Sequence, residues 1–358
     1  MLASCSRSLR SIARPGLLAT AAIGLLAACP ADVPTSPSPT ATASFLAVGD
    51  TGEPWGTFPS LFEPQLAVGH ALERAHEDAP VDALVLLGDN FYPDGLRAEA
   101  LLPRVVENVA RPYCAFIAPS PELEAALEGR CPPATNPPPI YAVVGNHDVR
   151  AADTGRLQRT QVPELVTNWE VPSAGVPAIR ELPGGVSLIF VVSEWPWDDA
   201  AAQRLAEALR RAQGPFRVIV GHRPPIQGHP QLSEMVSAAA TRAGTVVHAY
   251  VAGHVHVLGA VPGTRAGAPR LTVIAGSGAH AEHQTDTEYR IDGADFLEAS
   301  LGFARFDAFA NGPEPTLRVT LFRAASLPPL ARLFAPEIAA RYSIGVDGDV
   351  TPESSSAR

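Results

Sequence analysis

The chain has 358 residues, of which 46% are apolar, so it is long enough to bury a sizeable core in one large domain or two small ones. Its formal net charge is −10, and loss of the first 28 residues, which hold three Arg and no acidic residue, would take that charge to −13. Such an acidic surface excludes nucleic acid as a general partner. The chain contains no lysine, so a phosphate group would have to be bound by Arg, His, backbone amides or a metal ion.

The amino-terminal segment combines a positive start with a short apolar stretch. Three arginines lie within the first 14 residues, and residues 17–28 are apolar but too few to span a bilayer comfortably. The stretch ends in Leu26-Ala-Ala-Cys29, which resembles a bacterial lipoprotein lipobox. That resemblance implies cleavage before Cys29 and attachment of lipid to its sulfur. The alternative is an ordinary secretory signal with an incidental cysteine.

The lipobox resemblance divides the start of the chain into two parts. Residues 1–28 are then a signal peptide, and residues 29–44 are the lipidated cysteine followed by a flexible tether rich in Pro, Ser, Thr and Ala. We therefore expect an exported lipoprotein that Cys29 anchors to membrane lipid of a bacterial cell envelope, either in the periplasm or at the surface.

Export also bears on the remaining cysteines. Cys5 leaves with the signal peptide, so the mature fold keeps only Cys114 and Cys131 as thiols without lipid. Two cysteines separated by a Pro-rich segment in an oxidising compartment predict a disulfide, which across so short a loop would stabilise the fold by about 3 kcal/mol. Two independent buried thiols are the alternative.

Apolar periodicity predicts an α/β fold. Short apolar runs predict buried strands at residues 45–48, 83–87, 141–144, 186–192, 217–220, 249–252 and 271–274. Helical patterns separate several of them, at residues 65–76, 95–109 and 198–213, and residues 302–309 and 315–322 alternate as antiparallel strands do. Two sheets packed face to face with helices outside satisfy this order. We expect one domain over residues 45–325 and a partly disordered extension over residues 326–358, with the disorder from Val346 onward.

Polar side chains follow five of these strands at turns that contain glycine. The segments are Val48-Gly-Asp-Thr-Gly52, Gly88-Asp-Asn-Phe-Tyr92, Gly145-Asn-His-Asp148, Gly221-His222 and Gly253-His-Val-His256. In α/β sheets ligands gather at the carboxyl ends of strands, and glycine lets the backbone approach a metal centre closely. Each segment alone is weak evidence, because Gly-Asp after a strand is commonly just a turn. The ordered set predicts side chains that surround two metal ions.

Taken together, the five segments resemble those of the calcineurin-like metallophosphoesterases and, within them, the purple acid phosphatases of the small, tartrate-resistant type. The resemblance covers residues 45–322 and implies a four-layer α-β-β-α sandwich of two mixed sheets, with Fe(III) beside a second, divalent ion of Fe, Zn or Mn. It implies that one ion is held by Asp50, Tyr92 and His256 and the other by Asn146, His222 and His254, with Asp89 bridging both.

Two positions select the purple acid phosphatase type within the family. Most metallophosphoesterases have Asp-x-His in the first segment, but Gly52 stands in the place of that imidazole, and Tyr92 offers the replacement. A phenol has an ordinary pKa of about 10, so its binding as a phenolate favours a strong Lewis acid such as ferric iron. The alternative for Tyr92 is a packed aromatic residue beside Phe91.

The resemblance implies a phosphoric monoester hydrolase in which a metal-bound hydroxide attacks phosphorus in line. The carboxylates and the phenolate offset only part of the charge of two such ions, so the site would attract the phosphoryl group of a small phosphorylated substrate. A phosphodiester, a nucleotide or a phosphoprotein is the alternative substrate for the same site. A non-catalytic surface protein that binds a partner is a further alternative.

Other polar residues are expected close to the ions. His147 is expected to protonate the leaving group or to hold a phosphate oxygen, with a structural role as the alternative, and Asp148 to orient its neighbour. His229 is expected to be a further histidine facing the substrate. The remaining expected substrate contacts are Asn90, Arg223 and His280. For Arg223, pairing with an acidic residue is the alternative.

Overall fold

The computed structural model describes residues 40–53, 62–132, 134–194, 196–282 and 286–353. The predicted signal peptide, Cys29 and most of the predicted tether lie outside these ranges, as do residues 354–358 of the predicted tail. Among the helices within these ranges, none combines the length and apolarity that crossing a bilayer requires.

In the described part of the chain, fifteen strands form two mixed sheets. The strands are β1 (Ala43–Val48), β2 (Ala83–Leu86), β3 (Ile140–Ala142), β4 (Trp169–Glu170), β5 (Ala178–Leu182), β6 (Val186–Phe190), β7 (Phe216–Val220), β8 (Ala249–Ala252), β9 (Leu258–Pro262), β10 (Leu271–Ala275), β11 (Phe296–Glu298), β12 (Gly302–Phe309), β13 (Thr316–Arg323), β14 (Glu337–Gly345) and β15 (Val350–Pro352). The first sheet has the order β15-β14-β13-β12-β1-β2-β3-β4, and the second has the order β11-β9-β10-β8-β7-β6-β5.

Eight α-helices accompany the sheets over the ranges that the structure describes. They are α1 (Pro64–Asp78), α2 (Leu101–Val105), α3 (Pro121–Leu127), α4 (Thr154–Thr160), α5 (Val162–Leu165), α6 (Asp199–Arg211), α7 (Pro230–Ala243) and α8 (Pro328–Leu333). Helix α6 begins as its sequence predicts, because the Asp198 carboxylate accepts a hydrogen bond from the backbone N–H of Ala201.

Alternation along single strands builds the layers of the sandwich. In β1, Leu46 and Val48 pack with the apolar face of α1, whereas Phe45 and Ala47 pack with residues of the second sheet. In the second sheet, β6 contributes Ile189 to a cluster with α6 and α7, on the side opposite the first sheet. Both faces of the central strands are therefore covered, which is why these strands appear in the sequence as nearly unbroken apolar runs. The four-layer arrangement of two mixed sheets between helices is confirmed.

The segment predicted as one helix over residues 95–109 is shorter and less regular. A 3₁₀ turn at Ala98–Ala100 leads into α2, and a π-helical stretch follows at Val106–Ala110. Gly95 has a φ of 81°, a left-handed conformation that cannot belong to an α-helix. Residues 95–97 are therefore a loop rather than the first turn of the predicted helix.

The C-terminal extension continues the first sheet. Strand β14 pairs antiparallel with β13, and β15 pairs with β14, so the sheet extends to Pro352. The prediction of disorder from Val346 is wrong for Val350–Pro352. Within β14 only Tyr342 and Ile344 are fully buried, which is too weak an alternation to identify the strand from the sequence.

Candidate metal centre

The loops after β1 and β2 bring two carboxylates together. Asp50 and Asp89 both adopt left-handed backbone conformations, with φ of 58° and 53°, which aspartate tolerates better than most residues. The backbone N–H of Asp50 donates to the Gly88 carbonyl at 3.0 Å, and that of Gly52 donates to the Asp89 carbonyl at 2.9 Å. Both carboxylates are buried, so the two loops hold two negative groups side by side in the interior.

Three side chains meet in a first cluster. The Tyr92 Oη lies 3.1 Å from Asp50 Oδ1 and 3.3 Å from His256 Nε2. His256 Nε2 lies 3.6 Å from the same Asp50 oxygen. The ligands expected for the first ion therefore converge, and they come from loops of both sheets.

Three further side chains meet in a second cluster. Asn146 Oδ1 lies 3.0 Å from His222 Nε2 and 2.9 Å from His254 Nδ1. Asp89 connects this cluster to the first, since its Oδ2 lies 3.5 Å from His222 Nε2, and ligand atoms of Asp50, Asp89 and His222 all lie within 4.8 Å of one another. All seven residues expected to bind metal thus lie in one region, in which Asn146 and His256 are partly exposed and the other five are buried.

The polarity of the atoms around His222 fits a cation. His222 Nδ1 lies 2.8 Å from the Leu87 carbonyl oxygen, which can only accept, so this nitrogen carries the ring proton. In the neutral ring, Nε2 then presents its lone pair to two acceptors, Asn146 Oδ1 and Asp89 Oδ2. Burial lowers the pKa of His222, but the charges of Asp89 and Asp50 outweigh it and raise that pKa to about 9. A metal ion between these atoms would satisfy the same demand for positive charge.

Tyr92 also fits a metal ion, and a strongly acidic one. Burial, together with the charges of Asp50 and Asp89, raises the pKa of Tyr92 well above its ordinary value. A phenol in this position stays protonated unless a strong Lewis acid replaces the proton.

Gly52 explains why the tyrosine stands in this place. A Cβ atom on Gly52 would overlap the Asn90 carbonyl carbon and the Phe91 nitrogen, so the first loop packs directly against the backbone of the second. The Tyr92 N–H donates to the Gly52 carbonyl at 2.7 Å, and Arg104 donates to the Tyr92 carbonyl at 2.7 Å. The contact that excludes an imidazole at position 52 therefore also positions the phenol.

His147 lies beside Tyr92, with its ring centroid 4.3 Å from that of the tyrosine. Its Nδ1 is 2.7 Å from the Pro93 carbonyl oxygen, and its Nε2 is 3.3 Å from Arg150 Nη2. A carbonyl only accepts and a guanidinium only donates, so the ring is neutral with its proton on Nδ1. A proton donor role for His147 therefore requires that Arg150 first withdraw from Nε2. Arg150 belongs to none of the residues that the sequence motifs single out, and its position on the same turn as His147 is the signal that could have identified it.

Asp148 braces two loops instead of orienting the His147 ring. Its fully buried carboxylate accepts hydrogen bonds from the backbone N–H groups of Gly145 at 2.9 Å, Asn90 at 3.1 Å and Phe91 at 3.1 Å. It thereby ties the loop that carries Asn146 to the loop that carries Asp89.

Asn90 is directed into the protein interior. Its side chain donates to the Val143 carbonyl at 2.8 Å and to Gln158 Oε1 at 3.1 Å, and the residue is only 2% exposed. This placement contradicts the prediction that Asn90 contacts the substrate. The left-handed backbone at Asp89 changes the direction of the chain, so the next side chain packs inward.

Arg223 and His229 border the second cluster. Arg223 Nε donates to both carboxylate oxygens of Glu194, at 3.1 and 2.9 Å, and its Nη1 lies 3.0 Å from His254 Nε2. The acidic partner considered for Arg223 is therefore present, and the guanidinium still reaches a histidine of the second cluster. His229 is buried, with its ring centroid 5.3 Å from that of His254.

His280 borders the first cluster. Its ring stacks on that of His256 with centroids 5.3 Å apart, and it lies edge-on to Tyr92 at 5.9 Å. Its Nε2 contacts Glu53 Oε1. The pair connects the loop after β1 to the loop after β10 at the border of the cluster.

Comparisons with known proteins agree with this architecture. The family model described as calcineurin-like phosphoesterase matches residues 43–258, a range that contains all seven expected metal ligands. No curated protein shows a significant match to the chain.

Three solved structures resemble the fold. Purple acid phosphatase PPD1 of yellow lupin (Lupinus luteus) has a TM-score of 0.56 at 13% identity, covering 90% of this chain and 59% of the lupin protein. GAP50, the anchor in the inner membrane complex of Plasmodium, has a TM-score of 0.55 at 15% identity, covering 79% of this chain and 85% of that one. PhoD has a TM-score of 0.55 at 11% identity, covering 90% of this chain and 74% of PhoD.

Since identities this low establish the fold alone, the assignment to a family depends on the family model. Because that model matches more than half of the residues, the chain belongs to the calcineurin-like phosphoesterase family, whose members use a dinuclear metal site, and is a hydrolase.

Proposed function

We propose that the protein hydrolyses phosphomonoesters as purple acid phosphatases do. In this proposal Asp50, Tyr92 and His256 hold Fe(III), and Asp89 bridges to a divalent Fe, Zn or Mn ion. The ligands of that second ion are Asn146, His222 and His254. The observation that carries the proposal is the Tyr92 phenol, 3.1 Å from Asp50 Oδ1 and 3.3 Å from His256 Nε2, opposite a glycine that leaves no room for an imidazole.

When bound, such a pair of ions activates water and polarises the phosphoryl oxygens. The protein's own contribution is positioning. Asp148 holds the Asn146 loop against the Asp89 loop through three backbone hydrogen bonds. Arg223 offers a guanidinium at the edge of the second cluster, and a guanidinium suits the geometry of phosphate oxygens. Burial of both aspartates keeps bulk water from screening the site.

Elemental analysis with a visible spectrum tests the iron. Protein purified without chelator should be purple and contain iron, and Tyr92→Phe should lose the visible band because that colour arises from the phenolate bound to Fe(III). Tyr141→Phe is the matched control, since Tyr141 lies in β3 against Phe190 and should keep the colour. A colourless, iron-free protein with full activity would contradict the assignment.

A substrate panel tests the reaction class. Phenyl phosphate should be hydrolysed faster than bis(4-nitrophenyl) phosphate, although the diester has the better leaving group. The reverse order would favour the phosphodiesterase alternative. Phosphopeptides and nucleotides in the same panel separate the remaining substrate classes.

We also propose export and anchoring through Cys29, which rests on the amino-terminal sequence. Radiolabelled lipid should be incorporated into the parent protein but not into Cys29→Ser. Equal labelling of both would remove the anchor from the proposal.

A further inference from the structure

An open cleft adjoins the second cluster. It has a volume of about 890 Å³, and the residues that matter for its chemistry are Glu194, Trp197, Arg223, Gln227, His229 and Arg290. Arg223 and His229 both also border His254, at 3.0 Å between nitrogens and 5.3 Å between ring centroids. A phosphoester with its phosphoryl group at the clusters would therefore extend its leaving group into this cleft.

The inner arginine of the cleft is committed to an acidic partner. Arg223 and Glu194 form an ion pair at 2.9 Å, and their side chains are only 15% and 7% exposed. With both Glu194 oxygens bound by Nε, the guanidinium is fixed in direction and its charge is largely compensated. Arg223 can thus orient a phosphoryl group, but the pair adds little net attraction for a second negative charge.

The outer arginine is held much more weakly. Arg290 pairs with Asp292 at 2.9 Å, two residues away, and the two side chains are 60% and 49% exposed. Exposed ion pairs of this kind stabilise a protein very little, because water screens them. A ligand anion can therefore take the place of Asp292 on the Arg290 guanidinium at small cost.

The net negative charge of the molecule makes a local cation important for binding an anionic group. The chain carries a net charge of −10 and contains no lysine, so its general field repels an anionic leaving group. An arginine placed along the cleft offsets that repulsion locally and binds carboxylate or phosphate with two parallel hydrogen bonds. Trp197, half-buried in the wall, offers an apolar surface to the carbon skeleton between the two ends of the substrate.

We propose that the substrate carries a second anionic group on its leaving group, a carboxylate or another phosphate, and that Arg290 binds it. The inference rests on the proposed monoesterase function and narrows its substrate class. Arg290 is then a specificity-determining residue, whereas Arg223 serves the reacting phosphoryl group of every substrate.

Matched substrates test the proposal in the metal-loaded protein. We would measure kcat/KM for 4-carboxyphenyl phosphate, 4-phosphonophenyl phosphate and the neutral isostere 4-carbamoylphenyl phosphate. The parent should prefer at least one anionic substrate over the neutral one, and Arg290→Gln should lower that preference about tenfold, chiefly through KM. The anionic substrate with the higher kcat/KM relative to the neutral isostere identifies the second group as a carboxylate or a phosphate. Arg290→Lys, which keeps the charge without the planar fork, should retain part of the preference.

Arg211→Gln is the control, because Arg211 is exposed at the end of α6 and does not line the cleft. It should leave all rates unchanged. A parent without preference for either anionic substrate, or a preference that survives Arg290→Gln, would overturn the inference while the monoesterase function stands. Absence of hydrolysis of all three monoesters by metal-loaded parent would instead overturn the proposed function.

Discussion

Asp148 shows how a single residue can organise the centre without entering it. The sequence places it next to His147 and so favours a role on that ring, but its carboxylate binds the backbone of Gly145, Asn90 and Phe91. Which backbone groups face a buried carboxylate depends on how two distant loops pack. The position of Asp148 next to His147 in the sequence does not contain that information.

We predict that Asp148→Ala lowers the free energy of unfolding by about 3 kcal/mol or more, because three buried N–H groups lose their acceptor. The metal content should fall as well, since the Asn146 and Asp89 loops lose their connection. Asp148→Asn, which keeps one carbonyl oxygen, should lie between parent and Ala. Urea unfolding and elemental analysis measure the two effects.

Asp153→Ala is the control for this change. Asp153 belongs to the same stretch of chain, but it is exposed and pairs only with Arg156, so its removal should change stability by less than about 0.5 kcal/mol. A stable, fully metallated Asp148→Ala protein would show that the brace is dispensable.

At the scale of elements, His248 connects the start of β8 to the C-terminal hairpin. Its Nδ1 accepts from the Arg217 N–H at 3.0 Å, and its Nε2 donates to the Val346 carbonyl at 3.0 Å. The neutral ring is fully satisfied, whereas a second proton on Nδ1 would face a donor. Burial, opposed by the Val346 hydrogen bond and aided by the charge of Arg217, lowers the pKa of His248 to about 4.

The depressed pKa of His248 predicts a pH dependence of stability. In the unfolded chain the imidazole takes up a proton below about pH 6.5, but in the folded protein it does so only near pH 4. Its contribution is therefore complete above pH 6.5 and is lost as the pH falls towards 4, by about 3 kcal/mol in total. Unfolding free energies across this range should fall less steeply for His248→Gln than for the parent.

Arg211→Gln, a change of an exposed residue at the end of α6, should follow the slope of the parent. If the free energy of unfolding falls equally steeply with decreasing pH in the parent and in His248→Gln, this histidine does not cause the loss of stability in acid.

A disulfide crosslinks the segment between α2 and β3. Cys114 and Cys131 are bonded, with Cα atoms 5.4 Å apart and a sequence separation of 17. We predict that the double variant Cys114→Ser and Cys131→Ser has a free energy of unfolding about 3 kcal/mol lower in urea, because the unfolded chain without the crosslink has more conformational freedom. An unchanged unfolding midpoint would contradict this.

Elements differ in how well the sequence predicts them. Strands such as β1 and β7 are buried on both faces, so their apolar runs stand out. Strand β14 buries only two of its side chains fully and owes its place to pairing with β13, which no local pattern reports. The loop at Gly95 could not be predicted, because it results from a left-handed backbone conformation within an apolar pattern typical of a helix.

At the scale of the whole molecule, the candidate centre connects the two sheets. Asp50, Asp89 and Asn146 follow strands of the first sheet, whereas His222, His254 and His256 follow strands of the second. Residues this far apart in the chain meet because all these strands end at the same edge of the sandwich. The ordered turns of the sequence predict which side chains lie together, but not a partner such as Glu194, which tertiary packing alone brings to Arg223.

We predict that removal of bound metal loosens the association of the two sheets. Ions present at a thousand times their dissociation constant stabilise the fold by about 4 kcal/mol, so stripping them with a chelator should lower Tm by about 10 °C in calorimetry. Asn146→Ala, which removes a ligand of the second cluster, should show a smaller difference between loaded and stripped protein. Equal Tm values for loaded and stripped parent protein would mean that the ions do not hold the sheets together.

The close approach at Gly52 constrains how this centre can change over evolutionary time. A histidine introduced there would collide with the backbone of residues 90 and 91 before its ring reached any ion. A first cluster with the Tyr92 phenol and one with an imidazole at position 52 are therefore separated by more than a single substitution. A lineage that replaces the Tyr92 phenol with an imidazole at position 52 must first reshape the turn, and an engineer who makes the same exchange must graft both loops rather than substitute one residue.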